Sequence, residues 1–197
     1  MKVASLFYGT IAGSPYNGAL AIHVEFGRNG TDLSSVDLVN KIVNYPQNAA
    51  APAVVLTGDF TVLEKDSPMT DVIKALIDWN FFIFIQSDGT VYPTWFGFIK
   101  LGNTPRGYHI VTLDQSPWLR HECDEIRLVF TKKNTPEPAL PFKGPNLLYV
   151  MPTENSLIEP AIKFIQRSTH PWRLYLPSGG FYSKPISLDD DADEAEH

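Results

Sequence analysis

Residues 53–58 read AVVLTG, residues 69–79 read MTDVIKALIDW and residues 81–85 read FFIFI, and these three segments decide the fold class. The first and third are short, continuous apolar runs, which are typical of strands buried on both faces. In the second, the apolar positions recur at helical spacing. A strand, a helix and a strand within about 35 residues predict a βαβ unit, whose crossover is almost always right-handed.

The same alternation continues on both sides of this unit. A glycine-rich segment at 9–18 predicts a turn rather than a helix or a central strand. Further strands are expected at 20–26, 125–131, 147–151 and 172–176, and further helices at 36–43, capped by Ser34 or Ser35, and at 158–165. The pattern predicts an α/β protein, but it leaves open a doubly wound sheet and a complete or partial barrel.

The charge of the chain is concentrated at one end. Of the 22 acidic residues, six lie in the last nine positions, which leaves 16 acidic residues against 16 Lys and Arg in the rest. These six are Asp189, Asp190, Asp191, Asp193, Glu194 and Glu196. We expect one domain over residues 1–186 and a disordered acidic tail over 187–197. The neutral body argues against nucleic-acid binding, whereas the tail is a solvated end or a docking segment for a protein partner.

The chain contains one cysteine, Cys123. A disulfide, a Cys-rich zinc site and a cysteine-held iron–sulfur cluster each need at least two cysteines. We therefore expect no internal disulfide and no cofactor. His109 and His121 have acidic neighbours but lack metal-ligand spacing, and we interpret them as surface or singly bonded histidines. No apolar run is long enough to cross a membrane, so a cytoplasmic protein is expected.

Several strings resemble one enzyme family in order along residues 1 to about 186. They are FYGTIAGSPYNG at 7–18, VVLTGD at 54–59, IQSDGTVY at 85–92, LYVMP at 148–152 and WRLYL at 172–176. Together they resemble 7-carboxy-7-deazaguanine synthase, of the radical S-adenosylmethionine superfamily, whose corresponding motifs include LTGGEP and ETNGT. The resemblance implies an incomplete βα barrel, commonly paired as a homodimer.

The departures from the family pattern concern its chemistry. The family's CxxxCxxC loop should follow the strand at 20–26, yet the chain reads GRNGTD at 27–32 and passes almost directly into a helix. Without three thiolates no [4Fe–4S] cluster can be held there. Gln86 replaces the Glu of the ETNGT string, and PSGG at 177–180 replaces Gln-Thr-His-Lys. We therefore expect a catalytically inactive homologue that acts through protein–protein contact as a structural or modulating protein.

A ligand site is predicted at the carboxyl ends of two neighbouring strands. Its residues are Gly58, Asp59, Ser87, Asp88 and Thr90. They suit a binding module for a purine-like or nucleotide ligand, although the same residues are also common in plain turns. A cluster-free enzyme using Asp59 and Asp88 would need a nucleophile–base pair that the sequence does not indicate. Single-stranded nucleic-acid binding, with the tail as a competitor, is a further alternative.

Overall fold

One mostly parallel sheet organises the protein. The computed structural model describes residues 1–11, 16, 18–46, 53–60, 69–89, 106–113, 123–132 and 147–176. The strands are β1 Lys2–Thr10, β2 Leu20–Phe26, β3 Thr31–Asp32, β4 Ala53–Gly58, β5 Phe82–Ser87, β6 Gly107–Leu113, β7 Glu125–Phe130, β8 Leu147–Pro152 and β9 Arg173–Leu174. The α-helices are α1 Ser35–Val43, α2 Met69–Asp78 and α3 Ile158–Arg167, the last preceded by a 3₁₀ turn at Asn155–Leu157.

The strands follow one another across the sheet nearly in chain order. The spatial order is β3-β1-β2-β4-β5-β6-β7-β8-β9. β1 runs antiparallel to both β2 and β3, and every pair from β2 to β9 is parallel. The predicted βαβ unit is confirmed, because β4 and β5 are parallel neighbours joined through α2. The α/β fold class is likewise confirmed.

All three described helices pack on one face of the sheet, which we call the helical face. Leu38 of α1 and Ile73 of α2 share a buried cluster with strand residues such as Val24. Ala161 of α3 joins a second cluster with Leu128 on the same side. A doubly wound sheet carries helices on both faces, so the described helices do not follow that arrangement.

Local signals explain where α1 begins. The Ser34 hydroxyl accepts a hydrogen bond from the Asp37 backbone N–H at 3.1 Å, which satisfies one of the free N–H groups of the first turn. Asp37 in the first turn and Lys41 in the last are favourably placed in the field of the helix. The sequence prediction of a serine cap is therefore confirmed, and Ser34 is the cap.

The opposite face, which we call the second face, carries a smaller apolar cluster and the polar side chains discussed below. Its buried members alternate with those of the helical face and are Ile11, Ala21, Ala53, Val55, Phe84 and Ile110. The Tyr16 ring makes an edge contact with Phe84, with centroids 5.1 Å apart. Tyr16 also contacts Phe82 and Tyr108, so one exposed ring lies against this aromatic layer.

The structure corrects some element boundaries. The turn predicted from residue 9 begins later, because Gly9 and Thr10 pair with Ala21 and Leu20 in the antiparallel ladder. No strand is predicted at β1, β3 or β6, and β9 has two residues where five were expected. In the described ranges no helix is long and apolar enough to cross a membrane. Thr90, His121 and the tail at 187–197 lie outside the described residues.

Candidate functional site

The two predicted ligand-binding strings end adjacent strands at the same edge of the sheet. β4 and β5 are parallel and paired, so Gly58 and Ser87 both lie at the carboxyl edge. The Asp59 carboxylate accepts a hydrogen bond from Arg28 Nε at 3.2 Å, across the loop that follows β2. Asp88 is exposed. The edge is therefore polar, and Asp59 already engages a cation of this chain.

Gly58 is required by the backbone. Its φ is +99°, in the region that favours glycine, and a Cβ there would lie 2.2 Å from the Phe26 carbonyl oxygen. The Asp59 N–H donates to the same oxygen at 2.9 Å. Gly58 thus permits β4 to approach the end of β2, which holds Asp59 beside Arg28.

Ser87 turns toward the helical face, because it alternates with Gln86 along β5. Its Oγ lies 2.9 Å from Nε2 of His109 on β6, and both side chains are buried. The Gly89 N–H donates to the same Oγ at 3.3 Å. The His109 N–H donates to Asp124 Oδ2 at 2.8 Å. The Ser87–His109 contact joins β5 to β6, and the Asp124 bond ties β6 to the residue before β7. That Gly58, Ser87 and their neighbours line one pocket stays a prediction.

Polar side chains on the second face form a row just inside the carboxyl edge. Glu25 pairs in register with Thr57, and the pairing of Leu56 with Ile85 places Thr57 beside Gln86. Glu25 is exposed, whereas Thr57 and Gln86 are half-buried. We call Glu25, Thr57 and Gln86 the polar row. It offers a carboxylate, a hydroxyl and an amide on three adjacent strands.

A buried charged network lies further along the same face. Glu125 pairs in register with Ile110, which places it on the second face. Its Oε1 accepts from Arg127 Nε at 2.6 Å, and its Oε2 accepts from the Tyr108 hydroxyl at 3.3 Å. The Arg127 guanidinium lies 5.4 Å from the centre of the Tyr175 ring. The network therefore combines charges and aromatic rings inside the protein.

Burial governs the ionisation of this network. It raises the pKa of the Glu125 carboxyl, and the Arg127 charge acts in the opposite direction. It also raises the pKa of the Tyr108 phenol, with the neighbouring Glu125 charge as the second cause. Tyr108 is therefore held as a neutral hydroxyl that donates to the carboxylate.

His23 lies in the layer directly below the polar row. Its ring stacks on Phe7 with centroids 4.8 Å apart and planes 6° from parallel. Burial lowers its pKa to about 4, although a hydrogen bond with the Thr10 backbone acts against this. Within the described part of the chain, the buried Nε2 has no hydrogen-bond partner. At neutral pH His23 is an uncharged imidazole.

The sequence interpretation missed the polar row by one residue on β4 and on β5, and it predicted no site residue on β2. Thr57 directly precedes Gly58, and Gln86 directly precedes Ser87. Side chains alternate between faces along a strand, so the neighbours of a predicted edge residue point the other way. Counting two residues forward from the last apolar second-face residue of each strand would have found them. Val55 leads to Thr57, and Phe84 leads to Gln86.

Comparisons with known proteins leave the site to be interpreted from its own residues. No protein-family model matches the chain, and no curated protein matches it. Among the residues that the structure describes, no group of three or more His, Cys, Asp or Glu side chains could hold a metal ion. The described side chains of the site form hydrogen bonds, ion pairs and aromatic contacts.

Proposed function

We propose that this chain is a binding protein for a purine-like or nucleotide ligand, built on the fold of a catalytically inactive homologue of 7-carboxy-7-deazaguanine synthase. The polar row is the observation that carries the proposal. Glu25, Thr57 and Gln86 lie side by side at the carboxyl ends of parallel strands, where α/β folds bind ligands. The three side chains are in register on neighbouring strands, so they can contact one ligand together.

The chemistry of the row suits a nitrogen heterocycle. The Glu25 carboxylate accepts hydrogen bonds from ring or exocyclic N–H groups, and the Gln86 amide both donates and accepts. The Thr57 hydroxyl lies between them and can do either. In the layer below, the half-buried ring of Phe7 gives a ring system a surface to lie against.

The strand order supports an incomplete βα barrel as the finer description of the fold. Parallel strands that follow in chain order, with the described helices on one face, are what a singly wound barrel requires. In such a barrel the second face is the interior. A ligand on the polar row would then be enclosed by the sheet itself.

The proposed loss of catalysis rests on the cysteine count. Cys123 is the one cysteine, so the chain lacks the thiolates for a cluster. Protein purified without oxygen and supplied with iron and sulfide should stay colourless and should not cleave S-adenosylmethionine. A stoichiometric iron–sulfur absorbance would overturn this part of the proposal.

Calorimetric titration tests the ligand site. The probes are guanine, 7-deazaguanine, guanosine, GMP, adenosine and AMP. Thr57→Val removes one hydroxyl at nearly constant volume, and we expect about three- to tenfold weaker binding. Thr70→Val is the matched control, because Thr70 is also half-buried but lies on α2 at the helical face. It should bind the same probes as tightly as the unmodified chain.

Two results would contradict the proposal. The absence of binding by any probe at millimolar concentration would remove the ligand site. Equal losses in Thr57→Val and Thr70→Val would show that the hydroxyl of the polar row is not a contact.

Protein–protein contact is a second candidate function, and Trp79 favours it. Its side chain is 61% exposed at the end of α2, and a large exposed ring is typical of a contact residue. The acidic tail is a second possible contact for a basic partner protein. Sedimentation at micromolar concentration should show a homodimer that Trp79→Ala weakens. A species of only 22.0 kDa would reject the homodimer.

A further inference from the structure

We infer that the second face carries an anion subsite, formed by Arg127 and Arg173 on either side of Tyr149, that takes the phosphate group of a nucleotide. The inference rests on the proposed ligand site. Of the two ligand classes proposed there, purine-like compounds and nucleotides, it selects nucleotides. It rests on the register of three adjacent strands and on the charges that this register brings together.

The register places all three side chains in one line. Arg127 of β7 pairs with Tyr149 of β8, and Tyr149 pairs with Arg173 of β9. Residues paired in register on parallel strands point to the same side of a sheet. With strands about 4.8 Å apart, the Cα atoms of the two arginines are separated by about 10 Å, a gap that two long side chains can close over the tyrosine.

Arg127 is held in place by its neighbours. Its Nε–H, one of five N–H donors on the guanidinium, bonds to Glu125, and its Cζ lies 5.4 Å from the centre of the Tyr175 ring. The side chain is 7% exposed, so little rotamer freedom remains to be lost when an anion binds. A preoriented guanidinium is well suited to the oxygens of a phosphate.

Arg173 supplies the charge that is not balanced. It is exposed, and in the described ranges no carboxylate forms an ion pair with it. Among the residues that the structure describes, Glu125 offsets the charge of Arg127, and Arg173 adds a positive charge to the line of Arg127, Tyr149 and Arg173. A dianionic phosphate with three terminal oxygens can engage two guanidinium groups at once.

The distance from the polar row fits a nucleotide. Gln86 on β5 and Arg127 on β7 are two strands apart, and Arg127 lies two residues nearer the carboxyl edge. Strand spacing and rise give roughly 12 Å between their Cα atoms. The base of a nucleoside monophosphate can therefore contact the polar row while its phosphate reaches the arginines.

The test compares a nucleotide with its nucleoside. We expect GMP to bind about tenfold more tightly than guanosine in calorimetric titration, because charged hydrogen bonds to phosphate add affinity. Arg173→Gln should remove that advantage and leave guanosine binding unchanged, and Arg173→Lys should restore part of it. Arg167→Gln is the matched control, since Arg167 is also exposed but lies on α3 at the helical face.

The outcomes separate the two proposals. Equal binding of GMP and guanosine would overturn the anion subsite and leave the proposed ligand site standing. An equal loss of GMP affinity in Arg167→Gln would show a general charge effect and would also overturn the subsite. The absence of binding by both probes would overturn the proposed function and the subsite together.

Discussion

Glu125 and Arg127 form an ion pair inside the protein, two residues apart on the same strand. Glu125 Oε1 and Arg127 Nε are 2.6 Å apart, and their side chains are 0% and 7% exposed. Most buried ion pairs gain little net stability, because removing two charges from water offsets their attraction. Removing only one of the two is nevertheless costly, because the other charge then stays buried without its partner.

Removing one member of this pair should destabilise the fold strongly. Glu125→Ala leaves the Arg127 charge buried without its carboxylate, and we expect a loss of about 3–5 kcal/mol in the free energy of unfolding. The double variant Glu125→Gln with Arg127→Met should lose less than the sum of the single changes. Urea unfolding measures all of these differences.

The exposed pair of Glu159 and Lys163 on α3 is the control. Its atoms are also 2.6 Å apart, but the side chains are 77% and 57% exposed. Glu159→Ala should therefore cost less than about 1 kcal/mol. If Glu125→Ala lowers the free energy of unfolding as little as Glu159→Ala does, the Arg127 charge does not depend on Glu125 to remain buried, and the prediction is wrong.

His23 should make the protein less stable as the pH falls from about 6.5 to about 4. Burial lowers the pKa of its imidazole from 6.5 to about 4, so in this window the unfolded chain binds a proton that the folded chain refuses. The difference corresponds to about 3 kcal/mol at the lower end. Below pH 4 both states are protonated, and this contribution to the pH dependence ends.

The variant His23→Phe isolates the effect. Phenylalanine can still stack on Phe7 but cannot take a proton. Urea unfolding at several pH values should give the variant a shallower decline of stability between pH 6.5 and pH 4 than the unmodified chain. Parallel pH profiles would show that His23 does not titrate in this way.

Gly58 should tolerate no side chain. Gly58→Ala brings a Cβ to within 2.2 Å of the Phe26 carbonyl at a positive φ, so the strands must separate. Gly18 also has a positive φ, but an added Cβ meets nothing within 4 Å. Gly18→Ala should therefore cost about 1–2 kcal/mol, and Gly58→Ala at least about 2 kcal/mol more. Thermal unfolding of both variants gives the comparison, and equal losses would contradict it.

Ser87 should contribute to stability through its bond to His109. Ser87→Ala removes a buried 2.9 Å hydrogen bond, which we expect to cost about 1–3 kcal/mol. Ser5→Ala is the control, because the Ser5 hydroxyl donates to Glu25 at the surface and its loss should cost under 1 kcal/mol. A larger loss in Ser5→Ala would reverse this ranking of the two bonds.

The fold could be predicted where the local pattern was strong. β2, β4 and α2 follow from apolar periodicity, and the serine cap fixed the beginning of α1. β6 was missed although GYHIVTL is a strand-like string. The interpretation of its His109 as a surface or singly bonded histidine could not name the partner, Ser87, which lies 22 residues away. The local sequence pattern around His109 does not indicate a contact with a residue this far away in the chain.

The sequence predicts a ligand site at the carboxyl ends of two neighbouring strands, but the side chains of its residues engage different partners. The sequence pointed to Asp59 and Ser87, which engage Arg28 and His109. Face assignment needs the strand register, which places Thr57 and Gln86 side by side. The burial of Glu125 was also beyond prediction, because acidic residues are almost never fully buried unless they are paired, and the sequence does not show which way a strand residue faces.

The outermost strands of the sheet limit how two copies of this protein can associate. Among the described residues, β3 and β9 flank the sheet and contain two residues each. Such short strands present few unpaired backbone N–H and C=O groups, so they offer little template for a strand from another molecule. A homodimer would therefore be joined through side chains of the helices or loops rather than by one sheet continued across both subunits.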